Sequence, residues 1–124
     1  MFDVARLRRL DALFAERVMG ETVAEQVVVG PLGETMRYLS ADANYQNDPF
    51  STVLPFYTRS LDDAWAGAAE HFPIIEISME PRSIPFHAEV ERDGFESMDD
   101  ADHPAEALVL ACLRAVGVEE SELQ

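Results

Sequence analysis

The sequence predicts an α+β fold in which an antiparallel sheet packs with three helices. In two segments apolar residues recur every three or four positions, which is typical of helices, and a third segment is apolar all round, as in a buried helix. In the segments between them apolar and polar residues alternate, which is typical of strands with one wet face. With 124 residues and 48% hydrophobic content, residues 1–124 are expected to form a single domain with a buried core. The predicted order is α-β-β-α-β-β-(β)-α.

The first helix is predicted over residues 3–19, and Gly20 stands where a C′ glycine would end it. Residues 21–29 and 34–40 then read as two strands, and the turn sequence GPLG joins them into a hairpin. The apolar residues that define the helix are Leu7, Leu10, Phe14 and Val18.

Residues 41–59 follow neither period and are predicted to form a long loop rich in aromatic residues. Ser60, with Asp63 three positions later, then predicts a capped helix start, and Pro73 closes that helix. One stripe of the helix carries Leu61, Ala64, Trp65, Ala68 and Phe72.

Alternation predicts two further strands, around residues 75–79 and 84–91, with a short third strand at 95–97. Both longer strands have one apolar and one polar face, as expected for a half-buried antiparallel sheet. Pro85 lacks a backbone N–H, which predicts that the second strand lies at an edge of the sheet.

The last helix is predicted to begin with Pro104 near its first position and with Asp102 or His103 as its cap. Residues 107–113 are apolar all round, so this helix is expected to be buried. The final residues, 118–124, are expected to form a frayed acidic tail.

The charge balance limits the classes of partner. Twenty-four acidic residues against nine arginines and no lysine give a formal net charge of −15, which disfavours binding to nucleic acid or to an anionic membrane. A basic partner remains compatible with this charge. The single cysteine excludes an intramolecular disulfide, and the first twenty residues are too polar for a signal peptide, so we expect a cytoplasmic protein.

Three segments together resemble one protein family. They are LDALFAERVMGETV (10–23), LPFYTRSLDDAW (54–65) and EALVLACLRAVGVE (106–119), and their order and spacing are similar to those of the phage ABA sandwich domain family. Two positions depart from the family pattern: Glu21 stands where the family usually has Trp, and Leu110 where it often has a basic residue.

This resemblance implies a small phage or prophage protein with helices packed about an antiparallel sheet. It implies no established chemistry. It also implies that Pro55, Tyr57, Thr58 and Trp65 form a structural signature, in which the loop arrives at the helix and lays its aromatic residues on the sheet.

The residues themselves predict neither catalysis nor a metal or cofactor. Cys112 lies inside an apolar helical run, where a thiol is a small core residue of raised pKa. His71, His87 and His103 are isolated in sequence, without the spacing of a metal motif.

One binding site is predicted, in which aromatic rings stack on a base and guanidinium groups hold phosphates. The competing interpretation is that these aromatic residues fill the core and the arginines lie on the surface. The candidate ligand-binding residues are Tyr45, Phe50, Phe56, Tyr57, Arg37, Arg59, Arg82 and Arg114.

The sequence therefore predicts a non-enzymatic phage or prophage accessory protein that acts by binding. One hypothesis is an anti-defence protein, an oligomer that sequesters a small cyclic or ADP-ribose-type nucleotide signal. The alternatives are an acidic polyanion mimic that inhibits a nucleic-acid-binding host protein, or an interaction domain of another role. Arg6, Arg8 and Arg9, early in the first helix, suggest pairing with acidic groups of a neighbouring subunit and hence a homo-oligomer.

Overall fold

The structure is a computed structural model that describes residues 3–41 and 53–124. In these two ranges, four α-helices and five strands confirm the α+β class and follow the predicted order, with one additional short helix at the end. The helices are α1 (Val4–Leu13), α2 (Leu61–Ala69), α3 (Pro104–Ala115) and α4 (Glu120–Leu123). The strands are β1 (Val23–Val29), β2 (Thr35–Ala41), β3 (Ile74–Met79), β4 (Phe86–Arg92) and β5 (Phe95–Ala101).

The first helix continues beyond α1 as a π-helical turn, Phe14–Val18. Gly20 follows with φ of +73°, and the amide of Glu21 donates to the carbonyl of Ala15 at 2.9 Å. This left-handed residue reverses the chain as predicted, because glycine adopts a positive φ without a steric penalty.

The described strands form two sheets rather than one. β1 and β2 make an antiparallel hairpin, whereas β3, β4 and β5 make a three-stranded antiparallel sheet with β4 in the centre. The edge position inferred from Pro85 is therefore wrong. Pro85 lies before the strand, and its carbonyl accepts a hydrogen bond from the amide of Glu80 at 2.9 Å, so its missing N–H removes no bond from the ladder.

β5 is longer than predicted because Asp99 and Asp100, which the sequence placed in a loop, pair with Ala88 and His87 of the central strand. The cap of the following helix is His103, whose Nδ1 accepts a hydrogen bond from the amide of Ala105 at 3.1 Å.

The core is built around α3. This helix contacts β4 and β5 and also α1, the π-helical turn and α2. Every residue from Ala107 to Leu113 is buried, which confirms the expectation drawn from the uniformly apolar sequence. Burial of a helix on all sides needs such a composition, since any polar side chain there would lose its water without compensation.

α2 packs closely on the π-helical turn. Ser60 caps the helix as predicted, and a Cβ at Gly67 would lie 2.9 Å from Cε1 of Phe14, so the helices approach too closely for a side chain there. Ala64 and Ala68 of the predicted stripe are buried, but Trp65 is 41% exposed and is not part of the core.

The C-terminal residues form the short helix α4, not a frayed tail, and Leu123 is buried. Arginines of the first helix bind this segment: Arg6 Nε donates to the carbonyl of Leu123 at 3.0 Å, and Arg9 donates to the carbonyl of Gln124. Arg8 pairs with Asp11 of its own helix. These arginines thus find partners within the chain, which removes the argument for self-association drawn from them.

In the two described ranges, no helix has both the length and the apolar character that crossing a bilayer requires.

Candidate functional site

The described end of the predicted aromatic loop is attached to α1 by a buried network around Asp11. The Asp11 carboxylate is fully buried, lies 2.8 Å from a guanidinium nitrogen of Arg8, and accepts a hydrogen bond from the amide of Thr58 at 2.8 Å. Arg8 also donates to the carbonyls of Leu54 and Pro55. Burial raises the pKa of Asp11, while the Thr58 amide and Arg8 act in the opposite direction. This network joins two of the segments that carry the family resemblance.

The two described aromatic candidates have different environments. Tyr57 is only 4% exposed and packs against Phe14 with ring centroids 4.8 Å apart, and burial with nearby carboxylates raises its pKa to about 12. Phe56 is half exposed and lies beneath the Arg8 guanidinium, 4.0 Å from the ring centroid. Of these two rings, Phe56 is the one that solvent reaches.

Three other predicted residues lie outside what the structure describes. Tyr45 and Phe50 belong to residues 42–52, and for Arg37 the structure describes the backbone in β2 but not the side chain. Their role in ligand binding stays a prediction.

The remaining candidate arginines all contact carboxylates. Arg59 lies 3.6 Å from Glu106, and Arg82 donates to Asp100 at 3.0 Å. Arg114 lies 2.5 Å from Asp99 and equally close to Glu120, and these two contacts raise its pKa further. A phosphate at any of these guanidinium groups would have to displace or share a carboxylate.

The carboxylates of these contacts line a groove of about 250 Å³ between α3, α4 and β5. Five carboxylates and two arginines line it, together with apolar residues that include Leu110. The carboxylates belong to Asp99, Asp100, Asp102, Glu106 and Glu120, and the arginines are Arg6 and Arg114. The groove therefore has an excess of negative charge.

The outer face of the three-stranded sheet is more acidic still. Along β3 and β4 the side chains alternate between the core and solvent, so that Ala88 and Val90 are buried while Glu76 is exposed. We call the solvent side of this sheet the acidic face; it carries Glu76, Glu89, Glu91, Glu96, Asp100 and His87, together with Ser78 and the half-exposed Ile74 and Met98.

The strand register places like charges directly opposite each other on this face. Glu76 pairs with Glu89 across β3 and β4, and Glu91 pairs with Glu96 across β4 and β5. Such pairs are destabilising in an antiparallel sheet. Two shallow concavities of about 450 and 240 Å³ lie on the sheet, both bordered by Glu76 and Glu89. The fold thus keeps a concave acidic surface at a cost in stability.

His87 is the one imidazole on the acidic face. Its ring nitrogens lie 3.0 Å from Glu89 and 2.7 Å from Asp100, and these hydrogen bonds raise the pKa of His87. The same contact with His87, followed by Arg82, lowers the pKa of Asp100. Below its raised pKa, His87 therefore neutralises part of one corner of the face.

Cys112 and His103, whose side chains are of kinds often used in catalysis, lie in the core and at the start of α3. Burial raises the pKa of the Cys112 thiol to about 12, and burial lowers the pKa of His103, the cap of α3. Within residues 3–41 and 53–124, no group of three or more His, Cys, Asp or Glu side chains is arranged to hold a metal ion.

The alternation of apolar and polar residues already predicted that Glu76, Glu89 and Glu91 lie on the polar faces of their strands, but it indicated no function for them. Which glutamates oppose one another depends on strand register, which a single sequence does not reveal. Nothing in the sequence distinguished Asp11 from the exposed acids of the same helix.

No protein-family model and no curated protein matches the chain. Among solved structures, the chain is similar to a phage protein from Bacillus cereus ATCC 14579 with a TM-score of 0.65 and 13% sequence identity, over 96% of this chain and 94% of that one. At this identity the likeness shows a shared fold, a mixed arrangement of helices and antiparallel sheet that extends over nearly the whole length of both chains.

Proposed function

We propose that the chain is a phage-encoded, non-enzymatic protein that acts by binding a basic partner protein on its acidic face. The phage origin is supported by the name of the similar solved structure and by the three resembling segments. The choice of a basic partner rests on one observation, the two pairs of directly opposed glutamates on this face. These pairs are Glu76 with Glu89 and Glu91 with Glu96. A partner that supplies lysine or arginine side chains would relieve both repulsions.

The physical basis is electrostatic complementarity. Four glutamates, Asp100 and His87 lie on one face of a chain whose net charge is −15, so a cationic surface is attracted from a distance and is then held by close ion pairs. A protein that binds nucleic acid has such a cationic surface. An acidic protein bound to that surface would prevent the nucleic acid from binding there. This is the polyanion-mimic hypothesis, now assigned to a defined face.

The test uses a fluorescently labelled peptide of alternating arginine and valine as a model basic strand. Binding is measured by anisotropy for the natural chain and for a variant with four neutralised face residues, Glu76→Gln, Glu89→Gln, Glu91→Gln and Glu96→Gln. We expect this variant to bind about tenfold or more weakly, and higher salt to weaken the natural complex.

A matched control removes the same charge elsewhere. Four exposed acids that lie off the acidic face are neutralised by Glu16→Gln, Asp62→Asn, Glu70→Gln and Asp93→Asn. If this control loses as much affinity as the face variant, attraction to net charge alone explains the binding and the proposal is wrong.

Sequestration of a nucleotide signal is the second candidate, and one observation favours it. Arg6 and Arg114 border the same groove of about 250 Å³, beside the apolar surface of Leu110, so a base and a phosphate could both find contacts there. The five carboxylates of that groove oppose a phosphate, which is why we rank this candidate second.

A thermal-shift screen against cyclic and ADP-ribose-type nucleotides tests the second candidate. A ligand at 100 times its dissociation constant would add about 2.7 kcal/mol to the free energy of unfolding. A shift that Arg6→Gln abolishes would place the nucleotide in the groove, whereas no shift with any nucleotide would exclude this candidate.

A further inference from the structure

The β1–β2 hairpin has little support from the rest of the fold. Each of its strands makes its extensive contacts only with the other. On the β2 side, Val53 forms an isolated bridge with Ser40 and the Leu54 amide donates to the carbonyl of Leu39 at 2.8 Å, whereas no described strand pairs with the outer edge of β1. Val23 and Leu39, at its base, are partly buried against the core. A two-stranded hairpin is marginally stable in water unless it is covered or extended.

The exposed surface of β1 is apolar except at Glu25. Val23, at the core end of the strand, is followed on the same face by Glu25 and then by Val27 and Val29, which are 55% and 68% exposed. β1 contains no proline or lysine, the residues that commonly protect a free edge, and its only charged residue is Glu25. An edge of this kind is suited to pair with another strand.

The charge distribution indicates which partner can use this edge. Residues 23–41 carry Glu25, Glu34 and Arg37, a net charge of −1, which leaves −14 of the total −15 on the rest of the chain. A basic partner is attracted to the acidic face, not to this hairpin. A second copy of the chain is repelled by the acidic surfaces and can approach closely only where the charge is small.

We propose that two copies of this chain associate through β1, whose strands pair antiparallel across a two-fold axis to form a four-stranded sheet in the order β2-β1-β1-β2. Centred on Gln26, this register places Glu25 opposite Val27 of the second copy and Val23 opposite Val29. No like charges are then directly opposed. The two Val27 side chains become diagonal neighbours on one face, and so do the two Glu25 side chains, whose mutual repulsion salt would screen.

The interface is isologous, because each copy contributes the same strand to a closed dimer. The dimer holds two acidic faces in one particle, and its formation does not depend on what those faces bind. Association of two acidic chains should strengthen as salt screens their repulsion, whereas binding of a basic partner should weaken. The two proposals can therefore fail independently.

The mass of the full chain in solution provides the first test. Light scattering should give about twice the chain mass of 13.8 kDa, and the dimer fraction should rise with sodium chloride. Val27→Glu places a carboxylate opposite Glu25 of the second copy at two points, so dissociation should become about tenfold or more favourable. Leu32→Glu, at the 92% exposed turn, adds the same charge outside the strand and should leave the dimer intact.

A charge swap separates the pairing from a general effect on the hairpin. The double variant Glu25→Val with Val27→Glu has the same net charge as the natural chain and restores an apolar residue opposite each glutamate. It should recover the dimer that Val27→Glu loses. Circular dichroism checks that each variant is folded.

Cross-linking tests the register. The two Gln26 residues face each other in this register with Cα atoms about 5 Å apart, within the range that a disulfide spans. Gln26→Cys should form a covalent dimer on mild oxidation. Ala24→Cys should not, because the two copies of this residue would lie about 13 Å apart. A monomer at all concentrations, or a dimer that Gln26→Cys fails to link, would overturn the proposal.

Discussion

Asp11 is the residue on which the attachment of the 53–59 segment most depends. Asp11→Ala removes the partner of Arg8 and the acceptor of the Thr58 amide inside a fully buried site. We expect the free energy of unfolding to fall by about 3 kcal/mol, the lower end for breaking a buried ion pair, because Arg8 keeps its two carbonyl acceptors. Urea denaturation measures the change.

Glu16→Ala serves as the comparison, since Glu16 belongs to the same continuous helix but is exposed. Its effect should stay within about 0.5 kcal/mol. Equal losses for both variants would show that Asp11 acts only through the general charge of the helix, contrary to the network described above.

Single residues were predicted well where their local surroundings decide the outcome and poorly where distant contacts do. Cys112 is a core residue as its apolar neighbours indicated, and Ser60 caps α2 as its spacing from Asp63 indicated. Trp65 follows the helical period of the buried stripe yet is exposed, and Asp11 is buried although acids are usually on the surface. Both outcomes depend on elements far away in the sequence.

At the scale of the elements, electrostatic repulsion between opposed glutamates destabilises the acidic face, and substitution of these residues should relieve it. Glu76→Gln with Glu91→Gln removes one carboxylate from each directly opposed pair. The variant should be more stable than the natural chain by about 0.2–1 kcal/mol for each pair. Thermal and urea unfolding should agree on the sign.

The comparison for this gain is Glu16→Gln with Asp93→Asn, which removes the same charge from exposed positions that lie outside the acidic face. Asn tolerates the positive φ of +54° at residue 93. A gain as large as that of the face variant would mean that net charge, not the register of the sheet, causes the strain.

A helix or strand could be predicted from the sequence when residues within it or next to it determine where it begins and ends. The caps, the glycines with positive φ and the two periodicities identified α1, α2, α3 and the hairpin within a few residues. The central position of β4, the length of β5 and the folding of α4 were missed. Each of these depends on partners distant in sequence: β4 on both of its neighbours, β5 on the register with β4, and α4 on the arginines of the first helix.

For the whole molecule, the net charge could be read from the sequence but its distribution could not. Acids concentrate on the outer face of the three-stranded sheet and around the groove, whereas the hairpin has a net charge of −1. Internal ion pairs such as Arg114 with Asp99 and Arg82 with Asp100 offset part of this repulsion. With 24 acidic residues against nine arginines, the chain nevertheless keeps an excess of fifteen negative charges.

Salt should therefore stabilise this protein. Raising sodium chloride from about 0.05 to 0.5 M shortens the distance over which charges interact from well over 10 Å to a few ångströms, which weakens long-range repulsion more than close ion pairs. We expect the urea midpoint of the natural chain to rise with salt. The variant with four neutralised face glutamates should be more stable at low salt and should gain less from added salt, because part of its repulsion is already gone. A midpoint that falls as salt is added would show instead that the ion pairs outweigh the repulsion.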